Sequence, residues 1–472
     1  MKRKIFKRIL IGALLIILIP FFLLFVFKTV RHVGEVKGIS TENKPTETPK
    51  KEAVKFKRYY VAVSHLSNPK SNTSKSELVS LAASGKIITS DDTREDLQKF
   101  LGAEKISSVP AADQIKLTKD NFAVLKVEEL NPSLKVLKVD GKFIWEDEDY
   151  PLWDDVVKKV GEQPFDLKER TEVVVVGNIN YGKTVLGKIN EKGALSSFSE
   201  ISDYLTGADV TIGSLDLTVS ESSSSGKNIL EGLGETGFDI LSVASNKVTQ
   251  NGSKAYRDTL ANITDNKMDY VGGGESEADA SNYKVIKNRN HGFAFISFNI
   301  LAGGLAAKDE TAGVNQVKTD RTLNIDSSQK DYIASLVSNA KKESDYLIAY
   351  INVSKDSKDP STEAKNVAHN LAEMGVDLII CGNSSISEGI EYYKNKFIDY
   401  GLGNFISDTW SQTGSQGIIL KAIFYKEKLA SVYLSPITIM DQYKPVFASE
   451  KDAKNILDAI WASSGRISRE FY

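Results

Sequence analysis

The chain opens with one unbroken apolar run and then changes to short apolar runs separated by polar stretches. Residues 9–27, nineteen in a row, carry no charge. As an α-helix they would span about 28 Å, close to the hydrocarbon thickness of a bilayer. We predict a transmembrane helix at 9–27, preceded by a basic cytoplasmic tail at 1–8. Residues 28–55 are rich in Lys, Glu, Thr and Pro and are predicted to form a disordered linker.

A cleaved signal peptide is the alternative interpretation of residues 9–27. Its apolar region is normally about 7–15 residues long and ends at a small-residue cleavage site. The present run is longer, and residues 25–31 (FVFKTVR) contain no such site. We therefore expect an uncleaved, single-pass anchor in the cell membrane, with the rest of the chain on the extracytoplasmic side.

The first folded region is predicted at 56–165, as a small α/β domain. In chain order, the patterns predict a strand, two helices and two strands at 59–63, 76–84, 91–101, 122–125 and 134–139. Asp is expected to cap the second helix, and Asp140-Gly141 signals a turn. Stretches at 68–87 and 130–141 resemble parts of periplasmic solute-binding domains, which implies a fold and not a ligand. The acidic run Glu146–Asp149, flanked by Trp145 and Trp153, is predicted to be a solvated loop.

The second region, about 171–464, alternates short apolar runs with helical periodicity. Strands are predicted at 173–176, 210–215, 239–243, 293–298, 346–351, 378–381 and 397–400. Helices are predicted at 255–266, 329–342, 363–374 and 452–462. This alternation indicates βα units and a largely parallel sheet, in which chemistry is expected at the carboxyl ends of the strands. Strand patterns at 417–424 and 429–434 indicate an antiparallel edge or a second sheet.

Charge and composition narrow the functional classes. Residues 1–55 hold 12 Lys/Arg and 4 Asp/Glu, and the remaining 417 residues hold 48 and 58, so a basic terminus precedes an acidic body. An acidic body argues against nucleic acid as a partner, because phosphate binding requires a basic surface. The single cysteine, Cys381, excludes an intrachain disulfide and a four-cysteine zinc site, and we expect it to be buried. Only four histidines are present: His32, His65, His291 and His369.

Residues 177–184 (GNINYGKT) match the Gly-x4-Gly-Lys-Thr pattern of a phosphate-binding loop and follow a predicted strand. Backbone amides would cradle the phosphates, with Lys183 on the outer phosphates and Thr184 on magnesium. Against this alternative, residues 185–193 carry two glycines and are expected to be a poor helix. ATP is also scarce outside the membrane, where we expect this region to lie.

The sequence blocks at the ends of the predicted strands, taken together, resemble those of the capsule-synthesis protein CapA family. The resemblance spans about 171–464 and rests on blocks at 176–179, 208–216, 238–252, 270–274, 368–391, 400–405 and 434–437. The block 400–405 (YGLGNF), which contains Asn404, is the most specific. The family is linked to poly-γ-glutamate capsules and is similar in fold to calcineurin-like metallophosphoesterases. The resemblance therefore implies an α/β sandwich with a two-metal centre of Asp, Asn and His ligands.

The metal positions of that pattern are replaced in this chain. Asn178 stands in place of the family's Asp, Asp216 in place of its Glu, and Asn246-Lys247 in place of its Asn-His pair. Residues 351–354 (INVS) and 383–385 (NSS) replace Ile-His-Trp-Gly and His-Pro-His, so each histidine position is lost. Amides are poor ligands and a protonated lysine cannot ligate, so we expect neither a metal nor another cofactor.

The resulting hypothesis is a non-catalytic, membrane-anchored protein of capsule or envelope polymer synthesis. Lys247 is predicted to place a fixed charge where metal would sit, paired with Asp216. The candidate ligand-binding positions are Asn178, Asp216, Asn246, Lys247, Asn352, Asn383 and Asn404. The ligand would be an anionic or polyhydroxylated envelope polymer, and other capsule-assembly proteins are possible partners. Two alternatives stay open: these residues merely fill an abandoned site, or the protein is an active phosphoesterase-type hydrolase with a reduced site.

Overall fold

A computed structural model describes residues 55–118, 120–158, 161–220, 224–288, 291–301, 303–353, 357–409 and 411–468. The predicted tail (1–8), transmembrane helix (9–27) and linker lie outside these residues, except that Lys55 already belongs to the first strand. Within the described part of the chain, no helix combines the length and apolar character needed to cross a bilayer. The small folded region predicted at 56–165 and the larger region that follows it belong to one compact unit.

The strands of the amino-terminal part are β1 (Lys55–His65), β2 (Asn72–Thr73), β3 (Ile87–Ser90), β4 (Ser107–Val109), β5 (Phe122–Lys126), β6 (Leu134–Val136), β7 (Lys138–Val139) and β8 (Trp153–Val157). Those that follow are β9 (Arg170–Ile179), β10 (Val210–Leu215), β11 (Ile240–Ser242), β12 (Asp269–Val271), β13 (Gly273–Gly274), β14 (Lys284–Asn288), β15 (His291–Asn299), β16 (Gly313–Val314), β17 (Tyr346–Asn352) and β18 (Leu378–Gly382). The last are β19 (Ile390–Tyr393), β20 (Lys396–Asp399), β21 (Asn404–Ile406), β22 (Gln416–Tyr425), β23 (Lys428–Met440) and β24 (Lys444–Phe447).

The α-helices are α1 (Lys75–Ala83), α2 (Asp91–Leu101), α3 (Lys183–Lys192), α4 (Ser202–Thr206), α5 (Ser224–Glu235), α6 (Gly252–Asp265), α7 (Glu277–Ala280), α8 (Ser327–Glu343), α9 (Thr362–Met374) and α10 (Glu450–Ile467). Short 3₁₀ turns lie at Ala112–Gln114, Val127–Glu129, Leu167–Glu169, Ala194–Ser197 and Lys247–Thr249. The cap of α2 corrects a prediction, because Ser90 and not Asp91 is its N-cap residue.

The first region forms a mixed sheet, sheet I, in the order β4-β3-β5-β1-β6, with β8 also paired to β1. The predicted strand at 134–139 is interrupted at Leu137, whose amide bonds to Ala62 while β7 turns away to pair with β2. Asp140 and Gly141 both have positive φ, as the predicted turn requires. The acidic run Glu146–Asp149 is largely exposed, as predicted. Trp145 beside it departs from the solvated-loop prediction, because its side chain is fully buried and its Nε1 donates to Ser431 Oγ at 3.2 Å.

The second region contains two larger sheets. Sheet II has the order β12-β11-β10-β9-β22-β23-β24, with β21 also paired to β9. Its first four strands are parallel, and β22–β24 form the antiparallel edge that the sequence indicates. Sheet III has the order β14-β15-β17-β18-β20-β19, with a parallel centre and an antiparallel strand at each edge. Both central sets are apolar on both faces, as expected for covered parallel strands.

Sheets II and III face each other in an α/β sandwich. One buried cluster joins Val175 and Ile212 of sheet II to Phe295 and Ile348 of sheet III. The outer face of sheet II packs on α3, α5 and α6, and that of sheet III packs on α8 and α9. This layering agrees with the sandwich that the family resemblance implies.

Sheet I shares its buried core with sheet II. Its buried cluster includes Ile423, Tyr425 and Ala430, which belong to the β22–β23 hairpin of sheet II. Trp145 and Phe165 pack around the Tyr425 ring at centroid distances of 5.7 and 5.3 Å. The small region and the sandwich are therefore joined by a shared apolar core and not by a hinge.

Candidate functional site

The predicted site residues stand at or just beyond the carboxyl ends of strands in both large sheets. In sheet II, Asn178 of β9 is level with Ser214 of β10. In sheet III, Asn299 of β15 is level with Asn352 of β17, which is level with Gly382 of β18. Because parallel strands end at the same edge, residues far apart in sequence meet there.

Asn178 is the centre of a buried amide network. Its Nδ2 donates to the carbonyl of Ser384 at 2.6 Å and, more weakly, to Asn404 Oδ1 at 3.4 Å. Its Oδ1 accepts the backbone N–H of Asn383 at 3.2 Å. Asn404 in turn donates to the carbonyl of Gly414 at 2.8 Å. The structure thus brings together Asn178, Asn383 and Asn404, as predicted, and ties the ends of β9, β18 and β21 to one another.

Backbone geometry explains two of the residue types here. Asn383 has φ of +74°, a left-handed conformation that asparagine tolerates better than most residues. Its contribution to the network is a backbone N–H, which the sequence pattern did not indicate. At Gly177, a Cβ would lie only 2.0 Å from the carbonyl oxygen of Gly403, so only glycine allows β9 and the 400–405 block to approach this closely.

Lys247 and Asp216 form the predicted ion pair. Asp216 follows β10 and its side chain is fully buried, while Lys247 begins a 3₁₀ turn after β11 and keeps 39% of its side chain exposed. The Lys247 Nζ donates to Asp216 Oδ2 at 3.1 Å. The second oxygen, Oδ1, is buried without a hydrogen-bond partner among the described residues. The ammonium therefore supplies the principal compensation for a carboxylate that has been removed from water.

The remaining predicted residues bridge the two large sheets. Asn246 Oδ1 accepts a short hydrogen bond from Asn299 Nδ2 of β15. Asn352 donates from Nδ2 to the carbonyl of Ala244 at 3.0 Å. Asn299 was not a predicted site residue, although its place at the end of a buried strand was a usable signal. The amides of this edge thus hold the loop after β11 against sheet III.

The donor set is a poor fit for a two-metal centre. The one carboxylate among the predicted site residues, Asp216, is bonded to an ammonium, and the other side chains are neutral amides engaged with neighbouring protein groups. Within the described ranges, no cluster of three or more His, Cys, Asp or Glu side chains is arranged to hold a metal ion. Divalent cations prefer carboxylate and imidazole ligands, so these residues do not supply the donors that a two-metal centre needs.

The phosphate-loop match forms a strand, a loop and a helix. The expectation of a poor helix was wrong, because α3 begins at Lys183 and is held by buried Val185 and Ile189. However, the amides of Asn178 and Asn180 bond to Gly403 and Ile406 at 3.0 and 2.9 Å and cannot cradle phosphates. The Asp408 carboxylate also lies against Gly182 at the start of the helix. These contacts argue against a nucleotide site.

Sequence reasoning missed two buried acidic groups behind the site. Burial raises the pKa of Asp399 to about 7, although Gly401 N–H donates to it and lowers the value, and Glu388 adds to the rise. At Glu391, burial alone raises the pKa, but hydrogen bonds with His369 at 2.8 Å and Tyr400 at 2.6 Å outweigh it and leave the pKa lowered. His369 lies on α9 and stacks on Tyr393. Cys381 is buried, as predicted.

Comparison with known proteins adds a family match. The model of the family described as bacterial capsule synthesis protein PGA_cap matches residues 172–409, about half of the chain. That range begins within β9, extends beyond β21 and contains every candidate site residue.

Two curated relatives are each similar to about half of the chain. The capsule biosynthesis protein CapA of Bacillus anthracis is 25% identical over 273 residues, which cover 53% of this chain and 63% of that protein. The PGA biosynthesis protein CapA of Bacillus subtilis (strain 168) is 25% identical over 260 residues, covering 52% and 65%. The aligned part thus spans less than two thirds of either relative. Among solved structures, a phosphatase from Mycoplasma pneumoniae aligns with a TM-score of 0.38 at 11% identity, covering 57% of this chain and 94% of that one.

Proposed function

Because this chain belongs to the PGA_cap family of bacterial capsule synthesis proteins, we propose that it handles an anionic envelope polymer without hydrolysing it. The observation that carries the proposal is the Asp216–Lys247 ion pair, which sets a partly exposed ammonium over a buried carboxylate. An ammonium attracts carboxylate groups of a polymer and cannot ligate a metal. The name of the Bacillus subtilis relative, a PGA biosynthesis protein, makes a poly-γ-glutamate-like polymer the first ligand to test.

The surrounding amides support the same reading. Asn178, Asn246 and Asn352 are fixed by hydrogen bonds to protein groups, so the floor beneath Lys247 is rigid and polar. A polyamide chain presents carboxylates in regular order, and the partly exposed Lys247 ammonium is the group of this site that offers them a partner. The role proposed is binding and delivery during capsule assembly, alongside other assembly proteins.

The test measures ligand binding and turnover on the same full-length sample. We expect poly-γ-glutamate oligomers to bind, and the double variant Asp216→Asn/Lys247→Gln to weaken that binding about ten-fold. The double variant keeps the site uncharged and so avoids leaving a buried charge alone. Lys254→Gln, an exposed lysine on α6, is the matched control.

Turnover and metal content decide between the proposal and its alternatives. After incubation with Mn²⁺, Fe²⁺ or Zn²⁺, we expect less than stoichiometric metal and no hydrolysis of bis(p-nitrophenyl) phosphate. Stoichiometric metal with turnover would establish the active hydrolase instead. Oligomer binding that the double variant leaves unchanged would indicate that the ion pair merely fills an abandoned site.

We further propose that residues 9–27 anchor the protein in the cell membrane, with the folded body outside. The support is the uncharged run and its basic flank at 1–8. The chain is expected to stay with the membrane pellet after alkaline carbonate extraction, and a chain lacking residues 1–30 is expected to be released. Recovery of the intact chain in the carbonate supernatant would contradict the anchor.

A further inference from the structure

A cavity of about 460 Å³ lies beside the candidate site and has no role in the function proposed above. It is bounded by α7, by the chain at 306–318 and by the first half of α8. Its lining includes the small apolar side chains of Ala280, Ala306 and Val314. The volume is in the range of small-molecule sites, which run from about 300 to 1,000 Å³.

One wall of this cavity is an aromatic ring. Tyr332 of α8 is among the few large hydrophobic side chains in the described chain that stay exposed, at 37%. Its hydroxyl donates to the carbonyl of Ser281 at 2.7 Å, so the ring is held in place. A fixed ring of this kind offers a flat apolar face at little entropic cost to a ligand with a C–H surface.

The neutral amides of Gln316 and Gln329 also line the cavity and are held by hydrogen bonds. Gln316 Nε2 donates to the carbonyls of Asn299 and Leu301 at 2.9 and 3.3 Å. Gln329 Oε1 accepts the backbone N–H of Lys318 at 2.7 Å. Side-chain amides both donate and accept, which suits hydroxyl groups, since hydroxyls also do both.

The charges that line the cavity are mostly basic. Lys308 and Lys318 are exposed at its rim, and Glu277 is the one acidic residue of its lining. Two ammonium groups beside an aromatic ring and amides favour a ligand that combines a sugar-like ring with a negative charge.

We propose that this cavity binds an acidic saccharide unit, with the pyranose ring on Tyr332, its hydroxyls on the amides and its acid group at Lys308 and Lys318. The ring contact favours a saccharide over a flexible polyamide, which has no flat face to place there. The site is connected to the candidate site through Gln316, whose acceptor Asn299 donates to Asn246. A second polymer of the envelope would thereby be held next to the first.

Isothermal titration of the full chain with tri-galacturonate tests the proposal, with maltotriose as the neutral probe and a γ-glutamyl trimer as the polyamide probe. We expect tri-galacturonate to bind at least about ten-fold more tightly than either. Tyr332→Ala and the double variant Lys308→Gln/Lys318→Gln are each expected to weaken it by a similar factor. Tyr332→Phe, which keeps the ring, and Lys254→Gln are expected to bind like the wild type.

The outcomes separate this site from the proposed function. Loss of tri-galacturonate binding in Tyr332→Ala, with poly-γ-glutamate binding intact, supports a distinct saccharide site. No binding of tri-galacturonate by the wild-type chain overturns the proposal, as does equal binding of maltotriose. Preferred binding of the γ-glutamyl trimer that Tyr332→Ala abolishes would overturn it in favour of a polyamide site. Thermal unfolding midpoints of the variants confirm that each one folds.

Discussion

Replacing Lys247 with methionine is expected to lower the free energy of unfolding by about 3 kcal/mol, because it leaves the buried Asp216 carboxylate without its partner. Asp216 Oδ1 is already without a hydrogen bond among the described residues, so the described groups around it offer no compensation. Methionine is similar in length to lysine, so the loss in free energy of unfolding reflects the missing charge more than a change in packing. Urea unfolding of the full chain at neutral pH, followed by tryptophan fluorescence, measures the change.

Two further variants make that result specific. Lys247→Arg retains a cation and is expected to be close to the wild type in stability. The double variant Asp216→Asn/Lys247→Met removes both charges and is expected to recover most of the loss, because the two positions are directly coupled. A single and a double variant of equal stability would mean that the pair is not a stabilising unit.

Asp399→Asn is expected to stabilise the protein at alkaline pH and to have little effect at acidic pH. The carboxyl is protonated up to about pH 7 in the folded state, against an ordinary value of 3.8. A raised pKa contributes stability that is fully present below pH 3.8 and is lost as pH rises through the folded value. At about 1.4 kcal/mol per pH unit, the stability lost between pH 3.8 and about pH 7 amounts to about 4 kcal/mol.

Unfolding free energies at about pH 5 and about pH 8 test this expectation, since the two values lie on either side of the folded pKa. Asparagine carries no charge at either pH, and its Oδ1 can still accept the Gly401 N–H that Asp399 now accepts. The wild-type chain should lose more stability than Asp399→Asn between the two values. Asp399→Ala removes the hydrogen bond as well and separates that contribution from the charge. An unchanged pH dependence in Asp399→Asn would show that another group is responsible.

Much of the sandwich could be predicted from the sequence, because strands covered on both faces appear as apolar runs. The strand Val210–Leu215 and the helix Asp91–Leu101 have the predicted bounds. The helix Lys183–Lys192 was not predicted, since its glycines lower helix propensity while the burial of Val185 and Ile189 overrides it. Trp145 was misjudged because its partner, Ser431, is remote in sequence and belongs to another sheet.

The sequence predicted which residues lie at the site and the ion pair between two of them, but not the hydrogen-bond network around Asn178. Strand ends placed Asn178, Asp216 and Lys247 at one edge, and the ion pair followed from their charges. The network around Asn178 depends on the backbone N–H of Asn383 and on the positive φ of that residue. Neither feature can be recognised from the pattern of apolar positions in the sequence. The pKa of Asp399 depends on how deeply its strand is covered, which only the packed sheets reveal.

The place of β1 in sheet I determines how the body responds to mechanical load. A pull on the chain before Lys55 reaches the body at β1, which is bonded to β8, β5 and β6. Antiparallel ladder bonds lie across the strand direction, so a pull directed along β1 would load them together in shear. Because Ala62 and its neighbours are also buried in the core shared with sheet II, the load passes into the sandwich itself. The body would therefore resist tension applied at its amino end as one rigid piece.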